Sequence, residues 1–195
     1  MERPIFQPVG TPVEQLDTPA LVLDLDVMDR NIKTFQGYFA DALAKPRPVV
    51  TSHLCPQIAR RQLDAGGTNG GIAVTTLGEA EVFANSGFSD ILLANEVVTV
   101  SKIRRLCALA NQTSIGIAVD NPDNALQLSS GAVEMKVELR VLIEIEAGLG
   151  RCGISPGVEA IKLAQMVSGL PGSVSYTHLT LQTNRRCRSR WSPYH

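Results

Sequence analysis

The feature that most constrains this chain is an alternation of short apolar runs with amphipathic segments, repeated through most of its length. The apolar runs at residues 20–25, 49–52, 71–75, 90–94, 114–119 and 137–145 predict strands. The segments between and after them, 27–44, 56–65, 77–86, 100–111, 122–130 and 156–168, predict helices. The strands are continuous apolar runs rather than alternating ones, which marks strands buried on both faces of a parallel sheet covered by helices. Six strand–helix units in sequence therefore predict an α/β fold with a parallel sheet, either doubly wound or a (β/α) barrel. A complete barrel takes eight units and roughly 250 residues. This chain has 195, so a barrel here is expected to be partial.

Local signals set the expected boundaries. Asp26 is suited to cap the first helix, with Met28, Ile32, Phe35 and Phe39 on one side. Pro46 and Pro48 cannot continue that helix, and Pro56 is favoured at the start of the next. Residues 1–16 are Pro-rich and read as an irregular lead-in, and 17–172 as the partial barrel. From Ser173 the composition changes: the last stretch carries Arg185, Arg186, Arg188 and Arg190 and no acid. Its text, SYTHLTLQTN and onward, is similar to translated read-through of a sequencing adapter. Residues 173–195 are therefore expected to be a non-native extension, with a truncated native chain before them. The alternative reading is a basic arm for an anionic partner.

Composition excludes several classes. Residues 1–172 hold 14 basic and 19 acidic side chains, without the basic bias of nucleic-acid binding. No apolar run approaches the roughly 18 residues of a membrane span, and residues 1–10 lack a secretory pattern. Cys55, Cys107, Cys152 and Cys187 follow no paired spacing, so reduced thiols in a cytoplasmic protein are expected, with no metal site.

In a parallel barrel, functional residues lie at the carboxyl ends of strands and in the loops that follow. The stretches of interest are 47–56, 75–81, 92–98 and 144–154. Cys55 and Cys152 fall there, where a lone cysteine is most often a small buried hydrophobe. Glu79 and Glu81 begin a helix, where the dipole favours acids. Glu144 and Glu146 alternate on a strand and share a face. Gly148, Gly150 and Gly153 satisfy G-x-G-x-x-G, a weak dinucleotide signal at this position in the chain.

Asp17-Thr18-Pro19-Ala20-Leu21-Val22 with Asp24-Leu25-Asp26 resembles the opening of the D-threonine aldolase, D-serine dehydratase and alanine racemase N-terminal group. Leu77-Gly78-Glu79-Ala80-Glu81, residues 90–97, and Gly148-Leu149-Gly150-Arg151-Cys152-Gly153 are similar to the same group in order and spacing. The resemblance covers nearly all of residues 17–172. It implies a pyridoxal-phosphate barrel of fold type III with a C-terminal β domain, absent here, and a cytoplasmic lyase or racemase acting on D-amino acids or D-β-hydroxy amino acids. It implies a divalent metal held by the C-terminal domain of the intact relative, a small amino-acid substrate and a homodimer. By resemblance, Arg151 matches the ring-side arginine, Asn95 with Glu96 the strand-end Asn-Glu pair, and His53 the histidine two residues after the cofactor lysine. That lysine falls at Thr51, which cannot form a Schiff base. The other lysines, Lys33, Lys45, Lys102, Lys136 and Lys162, sit in predicted outer helices or before strands. The chain is therefore expected to be inactive as a lyase. The rivals are a non-catalytic lysine-less barrel that binds a small ligand or partner, and an amino-acid racemase.

Overall fold

The computed structural model describes residues 7–175, with the backbone alone for Val174 and Ser175. The arginines and Cys187 of the C-terminal stretch lie outside the described residues. Five parallel strands form one sheet: β1 Ile72–Val74, β2 Asp90–Leu93, β3 Ser114–Val119, β4 Leu139–Ile143 and β5 Ser173–Ser175. Their spatial order is their sequence order. A doubly wound sheet reverses its order at a switch point. Among the described residues no strand reverses the order, as in a barrel wall, and this argues against the dinucleotide reading of the glycine motif.

Six helices connect or precede the strands: α1 Leu25–Tyr38, α2 Pro56–Asp64, α3 Leu77–Asn85, α4 Val100–Ala110, α5 Pro122–Met135 and α6 Val158–Gly169. From α3 to α6, consecutive helices pack on one another. Their starts follow from side chains that accept the orphan N–H groups of a first turn. Asp24 accepts from Val27, Thr76 from Glu79, and Asn121 from Asp123 and Asn124. Pro56 and Pro122 open α2 and α5, where their missing N–H costs nothing.

The core lies between the helices and the sheet. Residues 115–119 of β3 are buried in succession, as a strand covered on both faces requires. Ile72, Ile91, Ile115 and Ile117 are at most 1% exposed. Phe83 of α3 meets Phe88 edge-on at 5.3 Å. Burying such a ring contributes about 2–3 kcal/mol. Gly131 lets α5 approach α4, because a Cβ there would lie 2.7 Å from Ile103 Cγ2.

Several expected elements differ. Residues 20–24 form no strand, and Leu21, Val22 and Leu23 are exposed. Among the described residues that run has no ladder partner, and an apolar run without one has nothing to hold it extended. The first helix begins at Leu25 with Asp24, not Asp26, as its cap, and it ends at Tyr38. Lys45 Nζ donates to the carbonyls of Phe39 and Ala40 just beyond that end, at 3.0 and 2.8 Å. The expected strand at 49–52 is a single bridge, Val49 to Ala73, followed by a 3-10 turn at Val50–Ser52. Pro46 and Pro48 supply carbonyls to Asn69 and Ala73 but no N–H, so a longer ladder cannot form there. The strand β5 extends the sheet three residues beyond Gly172.

Candidate functional site

The carboxyl ends of the strands carry a row of polar side chains. The row begins at the 3-10 turn. The Thr51 hydroxyl donates to Glu79 Oε2 at 3.0 Å and lies 3.4 Å from the Thr75 hydroxyl. Thr75 closes β1, and its N–H donates to the same carboxylate oxygen at 2.9 Å. Burial pushes the Glu79 carboxyl up, but the Thr75 N–H and then the Thr51 hydroxyl outweigh it and hold the group below the usual range. Glu79 is an ionised acceptor shared between two elements.

Asn95 follows β2. Its amide N–H donates to the Thr75 carbonyl at 3.1 Å, and its amide oxygen accepts from the Glu96 N–H at 3.0 Å. The side chain thereby ties the end of β1 to the end of β2. A cavity of about 170 Å³ opens beside Thr75, Asn95 and Glu96. A larger one, about 440 Å³, lies between α1 and the Pro46–Val49 segment, on the side of the strands' amino ends.

Beyond Asn95 the row turns acidic. Glu96, Glu144 and Cys152 present ligand atoms all within 4.8 Å of one another, a donor set able to hold a metal ion. The spacing of the cysteines had given no metal site, because the two carboxylates lie on other elements. Cys152 Sγ donates to Glu144 Oε1 at 2.9 Å. That bond and burial push the Cys152 thiol up, against Arg151, so it remains a thiol at neutral pH. Burial, then the charges of Asp120 and Glu144, push the Glu96 carboxyl up. Asp120, at the end of β3, accepts from the Gly153 N–H at 3.0 Å.

Arg151 lies in the loop after β4. Its guanidinium faces Cys152, with Glu144 and Glu96 adding to the field that keeps it charged. Glu146 does not pair with that guanidinium. Its carboxylate instead accepts backbone N–H groups of the glycine loop, from Gly148 and, at 3.3 Å, from Arg151. Those loop donors, Gly150 and Gly148 first, hold the Glu146 carboxyl low. An internal carboxylate thus fills the concavity that a glycine-rich loop offers to an anion.

The structure brings Thr51 and Asn95 to one stretch of this row and Arg151 to the next. His53 stands apart. Its Nδ1 accepts from the Cys55 N–H at 3.0 Å, which leaves the proton on Nε2, 3.3 Å from Gln62 Oε1 of α2. Both ring nitrogens are engaged in the local turn. Glu79 was legible only as a helix-start acid. The pattern Thr76-x-x-Glu79 is a capping-box signature and marks a carboxylate that folds back over the helix start. Glu144 and Cys152 are eight residues apart, but Glu96 is distant in sequence, and no spacing announces the three together.

The family model described as alanine racemase, N-terminal domain, matches residues 23–187. The chain is 38% identical over 169 residues to a D-threonine aldolase of Arthrobacter sp., covering 87% of this chain and 44% of that protein. It is 31% identical over 163 residues to a 3-hydroxy-D-aspartate aldolase of Paracoccus denitrificans, covering 83% and 42%. Among solved structures, the D-threonine aldolase of Filomicrobium marinum superposes with a TM-score of 0.79 at 36% identity, covering 82% of this chain and 43% of that one. The chain spans less than half the length of the curated relatives it matches. Strand order, the polar row at the strand ends and these matches agree: the chain belongs to the alanine racemase N-terminal domain family of fold type III pyridoxal-phosphate barrels.

Proposed function

We propose that this barrel is the cofactor-facing part of a lyase system for D-3-hydroxy amino acids, and that with threonine at position 51 it is catalytically silent. The substrate class rests on likeness to the D-threonine and 3-hydroxy-D-aspartate aldolases. A D-threo-3-hydroxyaspartate dehydratase of Delftia sp. is also similar, at 32% identity. One observation supports the silence: the residue at the position that the resemblance assigns to the family's amine is Thr51, and its hydroxyl donates to Glu79.

Pyridoxal phosphate supplies an electron sink once an amine holds it. The residues here do not fit a covalently held cofactor. Lys33, Lys102 and Lys162 lie on α1, α4 and α6, Lys45 is bound to the end of α1, and Lys136 is the C-cap of α5. None stands on a strand's carboxyl end; Lys102 lines the cavity beside Thr75, Asn95 and Glu96, but from helix α4. In this reading Arg151 and Asn95 keep their places beside the cofactor region, and His53 buttresses the turn that carries Thr51. A divalent metal and a homodimer are proposed for the intact parent, on the resemblance alone. The unpaired thiols of Cys55, Cys107 and Cys152 fit a cytoplasmic setting. No helix of the described residues is long and apolar enough to cross a membrane.

The test is to titrate pyridoxal phosphate into the wild-type chain, record the visible spectrum, and reduce with borohydride. We expect no saturable band and only scattered labelling of exposed lysines. A saturable band fixed stoichiometrically to one lysine would overturn the reading. Saturable binding of D-threonine with no band would favour a non-catalytic, ligand-binding barrel, the reading the satisfied Thr51 hydroxyl also suits.

A further inference from the structure

We propose that Glu79 is the charge partner of position 51: the carboxylate that orients the donor side chain there and sets how readily it gives up a proton. This rests on reading position 51 as the family's amine position.

A helix start asks less of Glu79 than the structure gives it. In the usual capping box, the carboxylate three residues in returns to the N-cap N–H. Here the cap is Thr76, whose hydroxyl accepts from the Glu79 N–H at 3.2 Å. The Glu79 carboxylate takes that Thr76 N–H, and it also reaches one residue further back, to the Thr75 N–H at 2.9 Å, and across to the Thr51 hydroxyl at 3.0 Å. Thr51 is 28 residues away in sequence and on another element. The carboxylate therefore receives its cross-element donor at the position where an amine is missing.

The surroundings leave that acceptor without a cation. Among the described residues Glu79 forms no ion pair. On its own helix, Glu81 is turned to Arg105 of α4, at 2.8 and 2.6 Å. From the end of β2 comes Asn95, which does not titrate, and Glu96, which faces Glu144 and Asp120. From the 3-10 turn and α2, His53 is bound to Gln62 and the Cys55 N–H. Lys102, with Arg105, lines the neighbouring cavity from α4. An ammonium at position 51 would give this carboxylate a cationic donor in place of the Thr51 hydroxyl. An opposite charge within about 4–6 Å favours the charged form by roughly one pH unit or more. Since only the neutral amine is a nucleophile, Glu79 would set the pH at which an amine at position 51 reacts.

The test compares Thr51→Lys with Thr51→Lys/Glu79→Gln, without cofactor. Glutamine retains an oxygen for the Thr75 N–H, so the helix start is kept. The reading is the pH dependence of reductive methylation at position 51, followed by peptide mass with the other lysines as internal controls. The midpoint at position 51 is expected to fall by about one pH unit in the double variant, with the controls unmoved. Equal midpoints would overturn the proposal. Should the double variant not fold, carbon-detected titration of the Glu79 carboxyl in the wild type and in Thr51→Val decides. Its pKa is expected to rise when the hydroxyl is lost, and an unchanged pKa would overturn the pairing. Neither measurement involves pyridoxal phosphate. A Thr51→Lys variant that ignores the cofactor yet shows this coupling would sink the reading of position 51 as the amine position and leave the pairing standing.

Discussion

Replacing Asp90 with asparagine is expected to lower the unfolding free energy by about 2–3 kcal/mol at neutral pH. Asp90 begins β2 and holds two guanidiniums from other elements. Arg47 Nη2 donates to it at 2.9 Å, and Arg140 of β4 donates to its other oxygen. Arg47 also donates to the Ile72 carbonyl at 3.3 Å. One carboxylate thereby ties the flank of β1 to β2 and β4 at the amino ends of the strands. The three side chains are 18–27% exposed, so removal of the charge leaves two half-shielded cations facing a neutral amide. Breaking a fully buried pair costs about 3–5 kcal/mol, and the partial exposure places this one lower. A Cβ on Gly71 would fall within 1.9 Å of Arg47 Nη1, so the network is tightly enclosed. Burial pushes the Asp90 carboxyl up, but Arg47 and Arg140 hold it below its ordinary range. Its stabilisation is therefore fully present above that ordinary range and is lost as pH falls through the lowered value. Urea unfolding at neutral and acid pH checks this. The gap between wild type and Asp90→Asn should close in acid, and a gap that stays constant with pH would remove charge from the explanation.

Gly153→Ala is expected to open the loop that carries Arg151 and Cys152, at a local cost of about 3 kcal/mol. Gly153 has φ +102, and an added Cβ would lie 2.5 Å from Glu146 N and 2.7 Å from Ile145 C. These are backbone atoms of a paired segment and cannot rotate away. The bridge between Ile145 and Ile154, with its N–H bonds at 3.0 and 2.9 Å, closes the loop. The Gly153 N–H to Asp120 anchors it to the end of β3. Loss of this closure would release Cys152 from Glu144. Two readings check it: amide exchange of Glu146 and Ile154, and the rate at which a thiol reagent modifies Cys152. Both should rise at least about tenfold. Unchanged rates would mean that the loop tolerates the methyl group and that its closure does not hold the site.

Most of the barrel wall was legible from its apolar runs, although only β1 and β3 are buried along their length, while β2 and β4 alternate buried with part-exposed residues. The run at 114–119 became β3 with no change of boundary, since every residue after Ser114 is apolar and covered. The run at 20–25 looks the same in sequence, but apolar residues do not say whether a partner strand is present. At 49–52 the neighbouring prolines carried the answer in their missing donors. Helix α5 runs to Met135, past the expected end at Ser130, because Gly131 is a contact point with Ile103 rather than a breaker. In the site, Thr51, Asn95 and Arg151 were legible as strand-end residues. The second role of Glu79 was not, because it depends on Thr51 being folded beside it. The Glu96–Glu144–Cys152 grouping was hidden for the same reason.

In the proposed reading, position 51 is the family's amine position and its hydroxyl leaves the barrel silent. Thr51→Lys is the decisive variant. The folded variant, incubated with pyridoxal phosphate, should show a saturable visible band that borohydride fixes to the residue at position 51, while the wild type shows neither. A folded Thr51→Lys chain with no label at position 51, across pH values where the amine is neutral, would contradict the account.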